Sequence, residues 1–201
     1  MTTKKDYVVL LHGFWRSARS MKTLEKVLVK DGYEVINIDY PSKEQTIESI
    51  SNDYLKKSLN ESCPDKKRKI NFVTHSMGGI IVRHFLANNK LKNLGRVVML
   101  APPNSGSKMA DVFSKFEIAN NILGPALRQL TTHKKSLPKS IPTPDYEVGI
   151  IAGKFDGKVS IKSTKLVGMK DFLVVPSAHS FIMNWDDVIL AVRKFLKNGK
   201  F

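Results

Sequence analysis

Apolar residues along this chain follow two alternating rhythms. Short, nearly unbroken apolar runs are separated by longer stretches in which apolar positions recur every three or four residues. The short runs read as strands over Tyr7–Leu11, Tyr33–Ile38, Ile70–Thr74, Arg96–Ala101, Glu147–Ala152 and Phe172–Val175. The longer stretches read as helices. Met21–Lys30 carries Leu24, Val27 and Leu28 on one face, and Glu44–Leu59 carries Ile47, Ile50 and Tyr54. Met77–Asn88 and Phe181–Lys197 complete the set. Strand–helix alternation of this kind predicts βαβ units. The expected fold is α/β, an about six-stranded, mainly parallel sheet with helices on both faces. In such sheets chemistry sits outside the carboxyl ends of the strands.

The segment from about 104 to 145 breaks the rhythm. It holds Met109, Val112, Phe113, Phe116, Ile122, Leu123, Leu127 and Leu130. It ends in a Pro-rich stretch with Pro138, Pro142 and Pro144. Two readings fit it: a short lid-like insertion, or a pair of ordinary packed helices.

Composition narrows the picture. A chain of 201 residues, 42% hydrophobic, is expected to form one domain over 1–201 with a sizeable core. The longest apolar runs are too short to span a bilayer, so no transmembrane segment is expected. The Lys pair near the start is not followed by an adequate apolar region or a small-residue cleavage site, and the expected location is cytoplasmic. The single Cys63 excludes an internal disulfide framework and a multi-cysteine zinc site. It precedes Pro64 in a polar stretch and reads as incidental. Lys and Arg number 33 against 18 Asp and Glu, a formal charge of +15. That excess suggests an anionic partner: nucleic acid, an acidic membrane or an acidic substrate.

The most informative string runs from Ile70 to Leu86, INFVTHSMGGIIVRHFL. An apolar strand meets a helix through His75-Ser76-Met77-Gly78-Gly79. This is the setting of a nucleophile elbow, where a serine is exposed on a sharp strand-to-helix turn. Small residues two positions before and after the serine let strand and helix approach. Gly78 meets that need; Thr74 stands where the G-x-S-x-G pattern has glycine. A serine at an ordinary helix N-cap is the plainer reading of the same string.

These features resemble the α/β-hydrolase superfamily, and more narrowly its small bacterial lipases and esterases. The resemblance covers nearly the whole chain. It rests on LLHGF at Leu10–Phe14, THSMGG at Thr74–Gly79, APPNSGS at Ala101–Ser107, IAGKFDGKVS at Ile151–Ser160 and SAHSF at Ser177–Phe181. It implies a single-domain α/β-hydrolase acting as a Ser–His–Asp hydrolase, with no metal and no organic cofactor.

In this fold the order is serine, acid, histidine. Downstream of Ser76 lie His84, His133 and His179. His84 is inside the following helix, and His133 sits beside Lys134 and Lys135 in the lid-like segment. His179 follows the last strand across Pro176-Ser177-Ala178, at the carboxyl edge, and is the expected general base. Among the carboxylates, Asp111 and Glu117 fall in the lid-like segment. Asp145, Glu147 and Asp171 fall at the starting ends of strands. Asp156 follows the fifth strand and precedes Gly157, which places it one strand from His179. The usual alternative position, after the fourth strand, carries Asn104. The expected oxyanion donors are the backbone N–H groups of Met77 and Phe14. His12 is expected to hold the loop that carries Phe14, and Gly13 to let the backbone approach the substrate.

Trp15 and Trp185 flank the site in sequence, with core packing expected for Trp185. Lys66-Lys67-Arg68-Lys69 reads as a solvated face. Lys154, Lys158, Lys162, Lys165 and Lys170 bracket the acid loop; both attraction of an anionic substrate or lipid surface and plain solubility fit them. No nucleic-acid recognition motif accompanies the charge, so no nucleic-acid partner is expected. The expected activity is cleavage of carboxylic esters, with a small-molecule or lipid ester as substrate and an anionic lipid surface as a possible partner. Other serine acyl enzymes (thioesterase, amidase, acyltransferase) share the same three residues. A non-catalytic binding protein on this scaffold is a further alternative.

Overall fold

The computed structural model describes residues 5–115 and 124–201. Its strands are β1 (Tyr7–Leu11), β2 (Glu34–Ile38), β3 (Ile70–His75), β4 (Leu94–Leu100), β5 (Val148–Gly153) and β6 (Asp171–Val175). They form one sheet in the order β2-β1-β3-β4-β5-β6, and every neighbouring pair is parallel. The chain runs outward from β1 to β2, then returns to place β3 on the other side of β1. That reversal of direction opens a crevice between the carboxyl ends of β1 and β3, where ligands gather in open α/β sheets.

Alternation along the strands explains the two cores. Tyr7, Val9 and Leu11 of β1 face one side with Phe72 of β3 and Met99 of β4. Val8 and Leu10 face the other side with Val73 and Leu100. Helix α1 (Lys22–Lys30) covers the second side through Leu24 and Leu28. A helical run over 47–62, here α2, covers the first side with Ile47, Ile50, Leu55 and Leu59. Helix α3 (Met77–Asn88) lies beside it. Both faces are buried, which is why the central strands are apolar throughout rather than at every second residue.

Two helix starts differ from expectation. α2 begins at Ile47 rather than Glu44, because the Thr46 hydroxyl accepts the Ser49 N–H at 3.2 Å and caps the helix there. Its middle, Ile50–Leu55, is wound wider as a π-helical stretch. The final helix, α7 (Asp186–Asn198), begins at Asp186, not Phe181. His179–Asn184 forms a tight 3₁₀ turn, and extended backbone at Trp185 separates the two. Asp186 and Asp187 then favour a helix start by facing the exposed N–H groups of the first turn.

Three short helices lie between: α4 (Lys108–Ser114), α5 (Leu137–Ser140) and α6 (Ile161–Thr164). Residues 124–129 are helical as well. Within the segment from 104 to 145, Ala110, Ala126, Leu127, Leu130 and Ile141 join the first core. Arg83 of α3, itself buried, fastens this segment. It donates to Asn104 Oδ1 at 3.2 Å, the Pro138 carbonyl at 3.1 Å and the Ile141 carbonyl at 3.1 Å. Phe116, Glu117, Ile122 and Leu123 lie outside the described residues. No helix among the described residues is long and apolar enough to cross a membrane.

Candidate active site

Ser76 stands between β3 and α3 with φ of 50° and ψ of −120°, in left-handed backbone that a non-glycine residue rarely adopts. Trp15 after β1 and Ala101 after β4 share positive φ, at 56° and 47°. All three strained residues therefore stand at the carboxyl edge of the sheet. The Ser76 N–H is held by the Leu100 carbonyl at 2.8 Å, so the ladder to β4 continues into the turn. Gly78 lets α3 press against β1, since a Cβ there would stand 2.7 Å from the Leu11 carbonyl oxygen. Thr74 is buried behind the turn, with its hydroxyl toward the Val98 carbonyl at 3.4 Å.

The structure brings together three side chains that the sequence sets 80 and more positions apart, Ser76 against Asp156 and His179. His179 Nε2 is 3.0 Å from Ser76 Oγ, and His179 Nδ1 is 2.6 Å from Asp156 Oδ2. A carboxylate only accepts, so Nδ1 carries the proton and Nε2 is free to accept the Ser76 O–H. The other carboxylate oxygen, Oδ1, accepts the N–H groups of Lys158 and Val159, each at 2.8 Å. Those two amides fix the position of the acid. Its side chain is almost wholly buried, as is most of His179.

The remaining histidines divide cleanly. His133 is exposed, and His84 lies in α3 with a buried Nδ1 that has no hydrogen-bond partner among the described residues. His12 is fully buried and stacks on Tyr40, ring centroids 3.9 Å apart. Its Nδ1 donates to the Gly13 carbonyl at 2.9 Å, and its Nε2 accepts the Tyr40 N–H at 3.4 Å. The Tyr40 hydroxyl returns a bond to the His12 carbonyl. This histidine thus ties the loop after β1 to the end of β2, and burial holds it below its ordinary pKa and so neutral.

His75 has no role in the sequence pattern beyond being the residue before the serine. It is fully buried, and its Nε2 donates to the His179 carbonyl at 3.0 Å. Its ring lies 5.0 Å from the His179 ring. Burial, and then the neighbouring His179, keep it neutral, well below its ordinary pKa. Its Nδ1 faces Gly13, where a Cβ would come within 2.8 Å of it and within 3.1 Å of Ser76 Cβ. The loop carrying Phe14 is therefore packed directly against the serine turn.

These residues open onto a cleft of about 470 Å³. Ser76, His75 and His179 form its polar end. Phe14, Trp15, Met109, Phe113 and Leu127 give it an apolar wall, and Arg16 and Lys158 stand at its margins. Arg16 lies over the Phe181 ring at 6.0 Å and Lys43 over the Trp15 ring at 5.1 Å. Met109, Phe113 and Leu127 come from the segment that broke the sequence rhythm. Trp15 lines the cleft. Trp185 does not pack in the core: it is 38% exposed, at the start of α7. Cys63 also departs from expectation, being buried at the end of α2, with burial pushing its thiol up to about 11. Among the described residues no group of three or more His, Cys, Asp or Glu side chains is gathered as metal ligands.

The fold agrees with known proteins. The sequence pattern of the Alpha/beta hydrolase family matches residues 8–180. The chain belongs to that family. Triacylglycerol lipase 2 of Saccharomyces cerevisiae is 30% identical over 121 residues, 54% of this chain. The match spans 37% of that longer relative. Among solved structures, the mature Bacillus licheniformis lipase BlEst2 superposes with a TM-score of 0.73 at 19% identity, covering 98% of this chain and 93% of that one. A thermophilic esterase from Thermogutta terrifontis superposes with a TM-score of 0.68 at 17% identity, covering 100% and 92%. At these identities the likeness is one of fold, and it extends over the whole α/β-hydrolase domain.

Proposed function

We propose that this α/β-hydrolase cleaves carboxylic esters through an acyl-enzyme, with Ser76 as nucleophile, His179 as general base and Asp156 as the acid that orients it. The observation that carries this reading is the unbroken hydrogen-bonded line from Asp156 through His179 to a serine held in strained backbone. The lipase and esterase names of its relatives agree with it. Ser76 Oγ attacks the acyl carbon as its proton passes to His179 Nε2. His179 then gives that proton to the departing alkoxide. Water attacks the acyl-enzyme with His179 again as base, releasing the acid and restoring Ser76. Asp156 stays ionised throughout and stabilises the imidazolium.

The tetrahedral oxyanion is to be met by the N–H groups of Met77 and Phe14. Met77 is the first residue of α3, so its N–H has no acceptor inside the helix. Removing one such donor from a hydrolase site costs about 2.7–4 kcal/mol of transition-state stabilisation. The apolar wall suits an acyl chain, and the segment from 104 to 145 caps it through Met109, Phe113 and Leu127. The exposed rings of Trp15, Phe155 and Phe181, each with a Lys or Arg over its face, favour an anionic lipid interface as the setting. The test is an acyl-chain series of 4-nitrophenyl esters, with and without vesicles, on the parent and on Ser76→Ala. The parent is expected to turn over and the variant to fall by about 10³-fold or more with the fold intact. Comparable turnover by both would sink the assignment of Ser76.

A further inference from the structure

Beyond the acid loop lies a second recess of about 320 Å³, whose lining includes Ser105, Lys108, Asp156, Lys158, Ser160 and Lys162. Its three lysines come from three separate elements. Lys108 opens α4, Lys158 follows the Asp156-Gly157 turn, and Lys162 lies in α6. Among the described residues none of the three is ion-paired to a carboxylate. Lys158 Nζ donates instead to the Ser180 hydroxyl at 3.2 Å.

The nearby carboxylates are already committed. Asp156 accepts from His179, Lys158 N and Val159 N. Asp111 accepts the Thr132 N–H and hydroxyl, each at 2.7 Å. Three lysines against the one lining carboxylate, Asp156, leave the recess wall net positive, in a concavity that also presents the Ser105 and Ser160 hydroxyls. Lys158 lines this recess and the apolar cleft alike.

We infer that the recess holds an anionic group, such as a phosphate or carboxylate, carried by the same ester whose carbonyl meets Ser76. This rests on the hydrolase reading and adds the substrate class: an apolar acyl ester with a second, negatively charged end. The charged end comes either from a soluble anionic ester or from a lipid headgroup, and matched substrates separate the two. The soluble pair is 4-nitrophenyl pentanoate against the mono-4-nitrophenyl ester of glutaric acid, which ends in a carboxylate. The lipid pair is dihexanoylglycerol against dihexanoyl phosphatidate, both below their aggregation threshold.

At low salt the parent should favour the anionic member of at least one pair by about tenfold in kcat/KM, a preference that shrinks as salt screens it. The double variant Lys108→Ala/Lys162→Ala should bring that ratio to within about twofold of unity. The control Lys90→Ala/Lys92→Ala removes the same charge before β4, at the opposite edge, and should keep the preference. Thermal midpoints of all three proteins confirm folding. Equal loss in both double variants would mean a diffuse field rather than a site, and would overturn the inference. So would cleavage of the neutral esters with no anionic preference. Failure to cleave even the neutral esters would overturn the hydrolase reading and the recess with it.

Discussion

At the amino edge of the sheet, several acids and bases pair with one another. Glu147 accepts from Arg96 at 2.7 Å and also from Lys170, while Arg68 pairs with Glu34 at 2.6 Å. Asp171 accepts the N–H groups of Phe172 and Phe201, each at 2.8 Å. At the carboxyl edge the same residue types are employed differently. Asp156 holds a histidine rather than a lysine or arginine, and Lys108, Lys158 and Lys162 have no carboxylate partner among the described residues. Among the described residues, the three non-glycine residues with positive φ all stand at this second edge. Paired charges and relaxed backbone serve stability at one end; unpaired charges and strained backbone leave the other end able to act on a ligand.

Substitutions at the two edges test this contrast, and the largest effect should come from paired aspartates. Asp156→Asn should lower kcat/KM for a 4-nitrophenyl ester by about 10³–10⁴-fold, because an amide lets His179 settle in the wrong tautomer. Asp171→Asn, far from the cleft, should stay within about twofold of the parent. A reversal of that order would erase the distinction between the edges. Next in size is Gly13→Ala. The new methyl would press on His75 Nδ1 at 2.8 Å and displace the Phe14 loop from the serine. A misplacement of this kind should cost about 10²-fold in kcat with little change in thermal midpoint. Full activity in this variant would show that the loop yields without consequence.

A smaller, edge-specific effect is the pH dependence of stability. Burial holds His12 and His75 below their ordinary value of 6.5. The unfolded chain therefore takes up protons near 6.5 that the folded chain refuses until lower pH. Stability rises with pH across that window and is lost as pH falls through it. The urea midpoint should be lower at about pH 5 than at about pH 7.5. A flat profile would count against neutral, buried rings beneath the cleft. The smallest effect belongs to the amino edge. Glu147→Gln breaks two partly exposed ion pairs and should cost about 0.5–1 kcal/mol, read by urea unfolding, with activity unchanged.

Much of this was legible before any coordinates. Unbroken apolar runs mark strands buried on both faces, and all six strands lie within two residues of their expected bounds. The elbow string set Ser76 on a turn, and elimination by sheet edge pointed to Asp156 and His179. Parallel strands send every following loop to the same edge of the sheet. Helix starts were less legible. Trp185 looks like a core residue in sequence, yet extended backbone there ends one turn and begins the next helix. His75 was overlooked for a different reason. Its value lies in a bond to the carbonyl of a residue more than 100 positions away, which no local pattern encodes.

Residue type and spacing were enough to specify the parallel α/β sheet, the strained serine turn and the candidate acid and base, because each follows from local conformation and chain direction. Tertiary packing settled the rest. It brought His179 within 3.0 Å of Ser76, set Gly13 against His75, and gathered three lysines from separate elements around one hollow. Those arrangements depend on which loops meet at the edge of the folded sheet, and distance along the chain carries no record of that meeting.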